Sequence, residues 1–202
     1  MNATAEMLKL VLASSSPRRR ELLAEAGFEF QVVSPPIEEP ANFQEGVTPA
    51  ARAEALAYFK ARSVADQHPN ACVLGADTVV AVAGRVLGKP AGRQNAEEML
   101  RTLSGTRHAV ISGVAVLGPD GIRMIASDTT HVTMRPLSDQ EVTGYLDSGE
   151  WIGKAGAYAI QETADRFVVK VEGSLSNVVG LPMELVARML TELGLCFGAG
   201  GD

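Results

Sequence analysis

Three long apolar runs in the middle of the chain constrain the fold more than any other feature. They cover residues 71–82, 109–117 and 122–134, and their length and apolar character predict buried β-strands. The second and third runs flank Gly118-Pro119-Asp120-Gly121, a strong turn signal that predicts a β-hairpin. The chain is therefore expected to fold around a sheet.

Shorter elements surround these runs and alternate between strand and helix. Further strands are predicted over residues 8–13, 28–33, 85–87, 157–161 and 167–171, and helices over residues 17–27, 49–68 and 95–103, from Ser138 and from Pro182. Ser16 before Pro17 marks one helix start, Ser138 with Glu141 forms a capping box, and Ala83-Gly84 predicts a tight turn. This order predicts an α/β fold with a mixed sheet.

Composition sets the size of the core and excludes some classes of partner. At 202 residues and 46% hydrophobic content, the chain can bury a sizeable core. We expect residues 8–195 to form one domain of two lobes, and residues 196–202 to form a flexible tail. The net charge of −6 argues against a binder of nucleic acid or anionic membranes. With no signal-peptide pattern and no membrane-span length, we expect a cytoplasmic protein.

The cysteines and histidines form no recognisable metal motif. Cys72 and Cys196 lie far apart, and His68, His108 and His131 lack the spacing of zinc ligands. Both cysteines are expected to be reduced thiols.

The stretch LASSSPRRRELL, at residues 12–23, combines three serines and three arginines at a strand-to-helix junction. The first amides of a helix are unpaired and attract anions. Hydroxyls from Ser14, Ser15 and Ser16 suit a polyphosphate or a carboxylate, and so do the forked guanidinium groups of Arg18 and Arg19. The alternative is a capped surface helix with solvated arginines.

Asp77 and Lys60 each place a charge where the pattern calls for an apolar residue. Asp77 interrupts the strand CVLGADTVVAV, two residues after Gly75. This predicts an opening in the sheet, where a carboxylate can act as a general base or a metal ligand. A turn aspartate or a salt-bridge partner is the alternative. Lys60 falls on the apolar face of the second helix, so it either points inward or extends along apolar surface to water.

Loop residues extend the set of candidates. Lys89, in LGKP, follows a short strand, and its surroundings do not fit a P-loop because the glycine spacing is one residue short. Glu38 and Glu39 can join Asp77 around a divalent cation or remain solvated. Gln161, at the end of AYAIQ, can read the edge of a base, although glutamines are ordinary at strand ends.

Polyphosphate and a metal are what these candidates share, and they fit both a nucleotide hydrolase and a nucleotidyltransferase. A series of motifs narrows the choice. In chain order they are LASSSPRRRELL, Ile37-Glu38-Glu39, FKA, GADTVV, LGKP, LSGTRHAVISGVAV, KAGAYAIQ and NVVGLP. Together they resemble the Maf family of nucleoside triphosphate pyrophosphatases.

The resemblance implies a two-lobed α/β fold related to inosine triphosphate pyrophosphatases, with the nucleotide in the cleft between the lobes. It also implies a homodimer, a divalent metal cation (Mg²⁺ or Mn²⁺), and hydrolysis to a nucleoside monophosphate and pyrophosphate. Asp77 is then the proton acceptor and, with Glu38, a metal ligand. The residues that the resemblance assigns to phosphate or metal binding are Ser14, Arg19, Glu38, Lys60 and Lys89.

Three positions resemble the family branch that acts on dTTP and UTP: Arg18, Thr78 and Gln161. The branch that acts on 7-methyl-GTP usually carries an aromatic residue, a glutamine and a glutamate there. Phe59 and residues 162–165 depart from the common family pattern. The resemblance predicts a pyrimidine nucleoside triphosphate pyrophosphatase. The alternatives are the 7-methyl-GTP enzyme and a non-catalytic nucleotide-binding regulator of cell division.

Overall fold

A computed structural model describes residues 8–36, 46–161 and 163–195. Within these ranges, the α-helices are α1 (Pro17–Glu25), α2 (Pro49–Ala65), α3 (Arg93–Leu103), α4 (Asp139–Ser148), α5 (Leu175–Val179) and α6 (Met183–Glu192). The strands are β1 (Lys9–Ala13), β2 (Phe30–Val33), β3 (Ala71–Val82), β4 (Arg85–Leu87), β5 (Arg107–Leu117), β6 (Arg123–Met134) and β7 (Val168–Glu172).

The described strands belong to one mixed sheet, in the order β2-β1-β3-β5-β6-β7, with β4 paired to β3. β1 is parallel to β2 and β3, whereas the pairs β3/β5, β5/β6 and β6/β7 are antiparallel. The three long apolar runs form β3, β5 and β6, and the predicted hairpin joins β5 to β6. The expected α/β fold with a mixed sheet is confirmed.

Helix α2 covers one face of the sheet at very short range. A Cβ on Gly75 would lie 2.4 Å from the carbonyl oxygen of Ala57, and one on Gly113 would lie 2.3 Å from that of Ala53. No side chain fits in these gaps, so both glycines are needed where α2 crosses β3 and β5. Because side chains alternate across a strand, the odd-numbered residues of β3, including Asp77, face α2.

The opposite face of the sheet carries two separate hydrophobic cores. Lobe one packs α1 and α6 on the sheet, with core residues that include Leu12, Leu23, Leu74, Val114, Val186 and Leu190. Lobe two packs α3 and α4 on the other end of the same strands, with core residues that include Val80, Leu100, Val110, Val132, Tyr145 and Phe167. Between the two cores, Thr78, Ser112 and Thr130 place hydroxyl groups on this face; these three residues are the polar belt.

The prediction of a strand over residues 157–161 is wrong. Residues Ala155–Ala157 form a 3₁₀ turn instead. Gly156 and Ala157 have φ angles of 68° and 60°, in the left-handed region that an extended strand excludes. The Gly156 N–H donates to the carbonyl of Gly88 at 3.0 Å, which joins this turn to the loop after β4.

Helix α5 and two further 3₁₀ turns were not predicted from the sequence. The turns are Pro119–Gly121 and Thr163–Phe167. Helix α5 is only five residues long and contains two valines, so its pattern gives little helical signal. It begins where the Ser174 hydroxyl accepts a hydrogen bond from the Asn177 N–H.

Other differences concern the ends of elements. Helix α1 ends at Glu25 rather than Gly27, whose φ of 77° is left-handed. Helix α2 ends earlier than expected and α3 begins earlier, while β2 and β6 begin later and β7 is shifted by one residue. The capping box at Ser138 is confirmed, and so is the turn that joins the antiparallel strands β3 and β4.

The expected tail, residues 196–202, lies outside the described residues, and so does Cys196. Cys72 is a buried free thiol, and burial raises its pKa. In the part of the chain that the structure describes, no helix is long and apolar enough to cross a membrane.

Candidate active site

A cleft of about 940 Å³ opens where the two lobes meet. Its walls come from the start of α1, the middle of β3, and the segments 152–155 and 178–180. Of the residues predicted from the sequence, those that line the cleft are Ser14, Ser15, Ser16, Arg18, Arg19, Lys60, Asp77, Thr78 and Lys89. These predicted residues, which are separated by up to 75 positions in the chain, are thus brought to one site.

The sheet itself is open beside the cleft. β1 pairs with β3 only as far as Gly75, and β4 pairs with β3 only from Val80 onward. Within the described ranges, no strand covers the intervening edge of β3 at residues 76–79. Asp77 and Thr78 lie on that edge, in agreement with the opening that the sequence predicted at Asp77.

Asp77 and Lys60 form a buried ion pair at this opening. The Lys60 Nζ lies 2.5 Å from the Asp77 Oδ1, and the two side chains are only 10% and 6% exposed. Lys60 therefore points inward rather than out to water, and Asp77 has the charged partner that a buried carboxylate needs. Both residues line the cleft, so the pair faces whatever the cleft holds.

The start of α1 forms one wall of the cleft. Ser14, Ser15 and Ser16 all line it. The Ser14 hydroxyl accepts a hydrogen bond from the Ser16 N–H at 3.1 Å, while the Ser16 side chain, at the N-cap, makes no capping bond. Hydroxyls and the positive end of a helix thus meet at this wall, an arrangement that suits an anion.

Arg19 ties three parts of the cleft together. Its guanidinium donates to the carbonyl of Ala76 at 2.7 Å, to the carbonyl of Gly180 at 2.8 Å, and to the Thr78 Oγ1 at 3.2 Å. The first of these bonds falls on the open edge of β3, where a neighbouring strand would otherwise bond. Arg19 therefore links α1, β3 and the loop after α5.

Positive charge dominates the cleft. Among the described lining residues, the basic side chains are Arg18, Arg19, Lys60, Lys89 and Lys154, and the acidic ones are Asp77 and Glu21. This concentration contrasts with the net charge of −6 for the whole chain. A cleft of one charge sign attracts ligands of the other sign, so the electrostatics favour a polyanion.

The lobe-two end of the cleft is largely apolar. It is lined by Val80, Val110, Ile152, Tyr158 and Ile160, a surface on which a flat heterocycle can pack. The Tyr158 hydroxyl lies 2.7 Å from the Nε2 of His108, and the two rings meet edge to face.

His108 and Tyr158 are both neutral near pH 7. Burial, and to a smaller extent the proximity of His131, lower the pKa of His108 to about 4, while burial raises the pKa of Tyr158. Neither residue was predicted for the site, since a histidine in an apolar strand gives no signal of its partner and a tyrosine in AYAIQ fits its surroundings.

The match to one protein-family model covers almost the whole described chain. The model of the family described as "Maf-like protein" matches residues 9–193. The chain belongs to this family. The resemblance inferred from the motifs is therefore confirmed.

Curated members of the Maf-like family are similar to this chain over nearly their full length. A protein of Symbiobacterium thermophilum, named dTTP/UTP pyrophosphatase, is 46% identical over 195 residues, which are 96% of this chain and 99% of that protein. A protein of the same name from Pelotomaculum thermopropionicum is 47% identical over 189 residues, 93% of this chain and 98% of its own.

A solved structure shares the fold of this Maf-like protein. The HAM1 protein from Coxiella burnetii superimposes with a TM-score of 0.51 at 18% identity, over 92% of this chain and 100% of that one. At this identity the likeness concerns the fold alone, and it agrees with the two-lobed architecture.

Two residues of the predicted Maf-like site are not among the described residues that line the cleft. Gln161 is exposed and is not among the described residues that line the cleft. Glu38 and its neighbour Glu39 lie outside the described residues. The described residues contain no cluster of three or more His, Cys, Asp or Glu side chains suited to a metal.

The carboxylate of Asp77 nevertheless suits one kind of metal site. Mg²⁺ is usually bound through one or two carboxylates together with substrate phosphates, rather than by a full cage of protein ligands. The carboxylate of Asp77 beside the basic side chains of the cleft matches that donor set. The described residues therefore fit a hard divalent cation that is held jointly with a polyphosphate.

Proposed function

We propose that this Maf-like protein hydrolyses the pyrimidine nucleoside triphosphates dTTP and UTP to the monophosphate and pyrophosphate. The observation that carries the proposal is the buried ion pair of Asp77 and Lys60 at the edge of a basic cleft. The substrate class is supported by the names of relatives that are 46–47% identical to it.

Asp77 is the group that we assign to proton transfer. Hydrolysis of a phosphoanhydride needs a base that orients the attacking water and accepts its proton. Asp77 lies beside the cleft on a rigid strand of the sheet, and Lys60 holds one of its oxygens in place. Lys60 also adds positive charge where the transferring phosphoryl group carries negative charge.

The phosphate chain is assigned to the walls that carry positive charge. Arg18 and the hydroxyl of Ser14 belong to the start of α1, and Lys89 and Lys154 lie in loops that also line the cleft. Arg19 completes this wall while it holds Thr78 in place. Such groups stabilise the charge that develops on the leaving pyrophosphate.

A divalent cation, Mg²⁺ or Mn²⁺, is part of the proposal. Asp77 would hold it, with Glu38 as the second predicted ligand. The ion would supply Lewis-acid neutralisation of the phosphate oxygens. The homodimer implied by the family resemblance also belongs to the proposal, and so does the cytoplasmic location expected from the sequence. A single domain over residues 8–195 belongs to it as well, which the family match over residues 9–193 supports.

The base is assigned to the apolar end of the cleft. Val80 and Val110 can pack against a pyrimidine ring, and Thr78, between the phosphate walls and this surface, can read its edge. Arg18 and Gln161 remain predicted specificity residues from the family resemblance.

The proposal is tested by the products released from a panel of nucleotides. Purified protein with Mg²⁺ or Mn²⁺ is incubated with dTTP, UTP, CTP, dATP, GTP and 7-methyl-GTP, and pyrophosphate and orthophosphate are measured separately. We expect pyrophosphate from dTTP and UTP, and a fall in kcat of at least ~100-fold for Asp77→Asn with nucleotide binding retained. Asp66→Asn is the matched control, because Asp66 lies at the surface in a pair with Arg62.

Three other results would contradict parts of the proposal. Orthophosphate as the first product would refute the cleavage position, and a preference for 7-methyl-GTP would refute the substrate class. Tight nucleotide binding with no turnover by the wild type would favour the alternative of a non-catalytic regulator.

A further inference from the structure

A continuous chain of hydrogen bonds runs from the cleft into the sheet through the polar belt. The Arg19 Nη2 lies 3.2 Å from the Thr78 Oγ1, which lies 2.8 Å from the Ser112 Oγ. The Ser112 Oγ lies 3.2 Å from the backbone carbonyl of Asn177. Ser112 and Asn177 are fully buried, whereas Thr78 lines the cleft.

The two ends of this chain determine where its hydroxyl hydrogens point. A guanidinium only donates, and a carbonyl only accepts. Because Ser112 has a single hydroxyl hydrogen and gives it to the Asn177 carbonyl, it must accept from Thr78. The Thr78 hydrogen is therefore directed inward, toward Ser112.

The competing acceptor for the Thr78 hydrogen is weaker. The Gly180 carbonyl lies 3.4 Å from the Thr78 Oγ1, compared with 2.8 Å for the Ser112 Oγ. The same carbonyl already accepts a hydrogen bond from the Arg19 Nε at 2.8 Å. A charged donor at one end and a carbonyl at the other also polarise the chain in one direction.

With its hydrogen directed inward, the Thr78 oxygen can only accept a hydrogen bond from a ligand in the cleft. Uracil and thymine carry a hydrogen on ring nitrogen N3, whereas cytosine presents a bare N3 that needs a donor. We propose that Ser112 is a positioning residue that makes Thr78 an acceptor for the hydrogen on ring nitrogen N3, and thereby favours uracil and thymine over cytosine. This inference rests on the proposed function.

Asn177 keeps the end of the chain in place. Its side-chain amide donates to the carbonyl of Val110 at 3.1 Å and to the Thr130 Oγ1 at 3.0 Å. Thr130 in turn donates to the carbonyl of Ser174 at 3.0 Å. These bonds hold α5 against β5 and β6, so the carbonyl that accepts from Ser112 has a fixed position.

The experiment compares kcat/KM for UTP with kcat/KM for CTP in the same preparation of each variant. In Ser112→Ala, the Thr78 hydroxyl loses its inward acceptor and can turn to donate into the cleft. We expect the UTP-to-CTP ratio to fall about tenfold, the value of one hydrogen bond of about 1.4 kcal/mol. Loss of stability alone lowers both activities together and leaves the ratio unchanged.

Ser127→Ala is the matched control. Ser127 lies on β6, on the face toward α2, where its hydroxyl donates to the Glu54 carboxylate at 2.6 Å. We expect this variant to keep the UTP-to-CTP ratio within about twofold. If Ser112→Ala does not fold, Ser112→Cys replaces it, since a thiol is nearly isosteric and a weak acceptor, and its ratio should fall at least ~threefold.

The outcomes separate this inference from the proposed function. A folded Ser112 variant that hydrolyses UTP with an unchanged UTP-to-CTP ratio overturns the inference and leaves the function standing. A wild-type protein that releases no pyrophosphate from UTP or dTTP overturns the proposed function itself. A fall in the ratio that Ser127→Ala reproduces also overturns the role of Ser112.

Discussion

Two neighbouring residues of β3, Asp77 and Thr78, lie on opposite faces of the sheet and belong to two different kinds of polar structure. On the face toward α2, Asp77 forms an ion pair with Lys60. On the other face, Thr78 belongs to a chain of neutral hydroxyls that one arginine begins. Both reach the same cleft, so one strand supplies a charged group and a neutral hydroxyl to it from its two sides.

The difference follows from the cost of burial. A buried ion must have a close counter-ion, and this requirement ties Asp77 to one residue of α2. Buried hydroxyls need only hydrogen bonds, so they can extend as a chain across several strands. The charged face should therefore depend strongly on each single residue, and the neutral face weakly on any one link.

The largest loss of stability is expected when the ion pair of Lys60 and Asp77 is broken. Lys60→Met leaves the Asp77 carboxylate buried without its counter-ion, and we expect the free energy of unfolding to fall by about 3–5 kcal/mol. Chemical denaturation measures this loss. The double variant Lys60→Met/Asp77→Leu should recover at least half of it, and a double variant as unstable as the single one would contradict the ion-pair explanation.

A smaller but still large loss of stability is expected when a side chain is added where α2 contacts the sheet. Gly75→Ala places a Cβ 2.4 Å from the carbonyl oxygen of Ala57, so α2 must shift, and we expect a loss of about 3 kcal/mol. Turnover should fall because Lys60 moves with α2.

Gly144→Ala is the control for that substitution, since a Cβ at Gly144 of α4 meets nothing within 4 Å. It should stabilise the protein by about 1 kcal/mol. Equal stability of the two alanine variants in thermal denaturation would show that α2 tolerates the displacement.

Whether His108 is neutral in the folded protein can be tested by measuring stability at different pH values. His108 has its pKa lowered from 6.5 to about 4 by burial. Below pH 6.5, His108 therefore binds a proton in the unfolded chain but stays neutral in the folded protein. The free energy of unfolding falls as the pH is lowered from 6.5 to 4. The loss is on the order of 3 kcal/mol.

His108→Gln removes this titration while keeping a polar side chain next to Tyr158. Stability curves of the wild type and the variant, measured by denaturation at several pH values, should diverge between pH 6.5 and 4. Parallel curves would mean that the pKa of His108 is the same in the folded protein as in the unfolded chain.

The smallest effect is expected for one link of the polar belt. Thr130→Val removes a hydroxyl that accepts from the Asn177 amide and donates to the Ser174 carbonyl. The amide keeps its bond to the Val110 carbonyl, so the main loss is the donor to Ser174, at a cost of about 1–2 kcal/mol. Urea denaturation of this variant beside Lys60→Met compares the two faces directly. A loss as large as that of Lys60→Met would contradict the contrast between them.

Much of the candidate site was predictable because its residues violate local patterns. Asp77 in an apolar strand and Lys60 on an apolar helix face both signal an unusual environment, and both line the cleft. Gln161 was expected at the end of a strand, but left-handed φ angles at Gly156 and Ala157 replace that strand by a turn, and Gln161 is exposed outside the cleft lining.

Other site residues carry no local signal. Ser112 and Tyr158 fit their sequence surroundings as ordinary residues, and their roles depend on partners far away in the chain. Tyr158 meets a histidine 50 positions away, and Ser112 shares a hydrogen bond with a threonine 34 positions away. A local pattern cannot specify such pairs.

The sequence by itself determined the alternation of strands and helices, the long apolar strands, the capped starts of several helices and the charged residues of the site. These features depend on backbone and side-chain preferences that act over a few residues. Only the tertiary structure decided that Lys60 meets Asp77, that Arg19 joins Thr78 to the Gly180 carbonyl, and that hydroxyls separate the two cores. Those contacts depend on strand register and on the approach of α2 that Gly75 and Gly113 permit, and both are properties of the packed molecule.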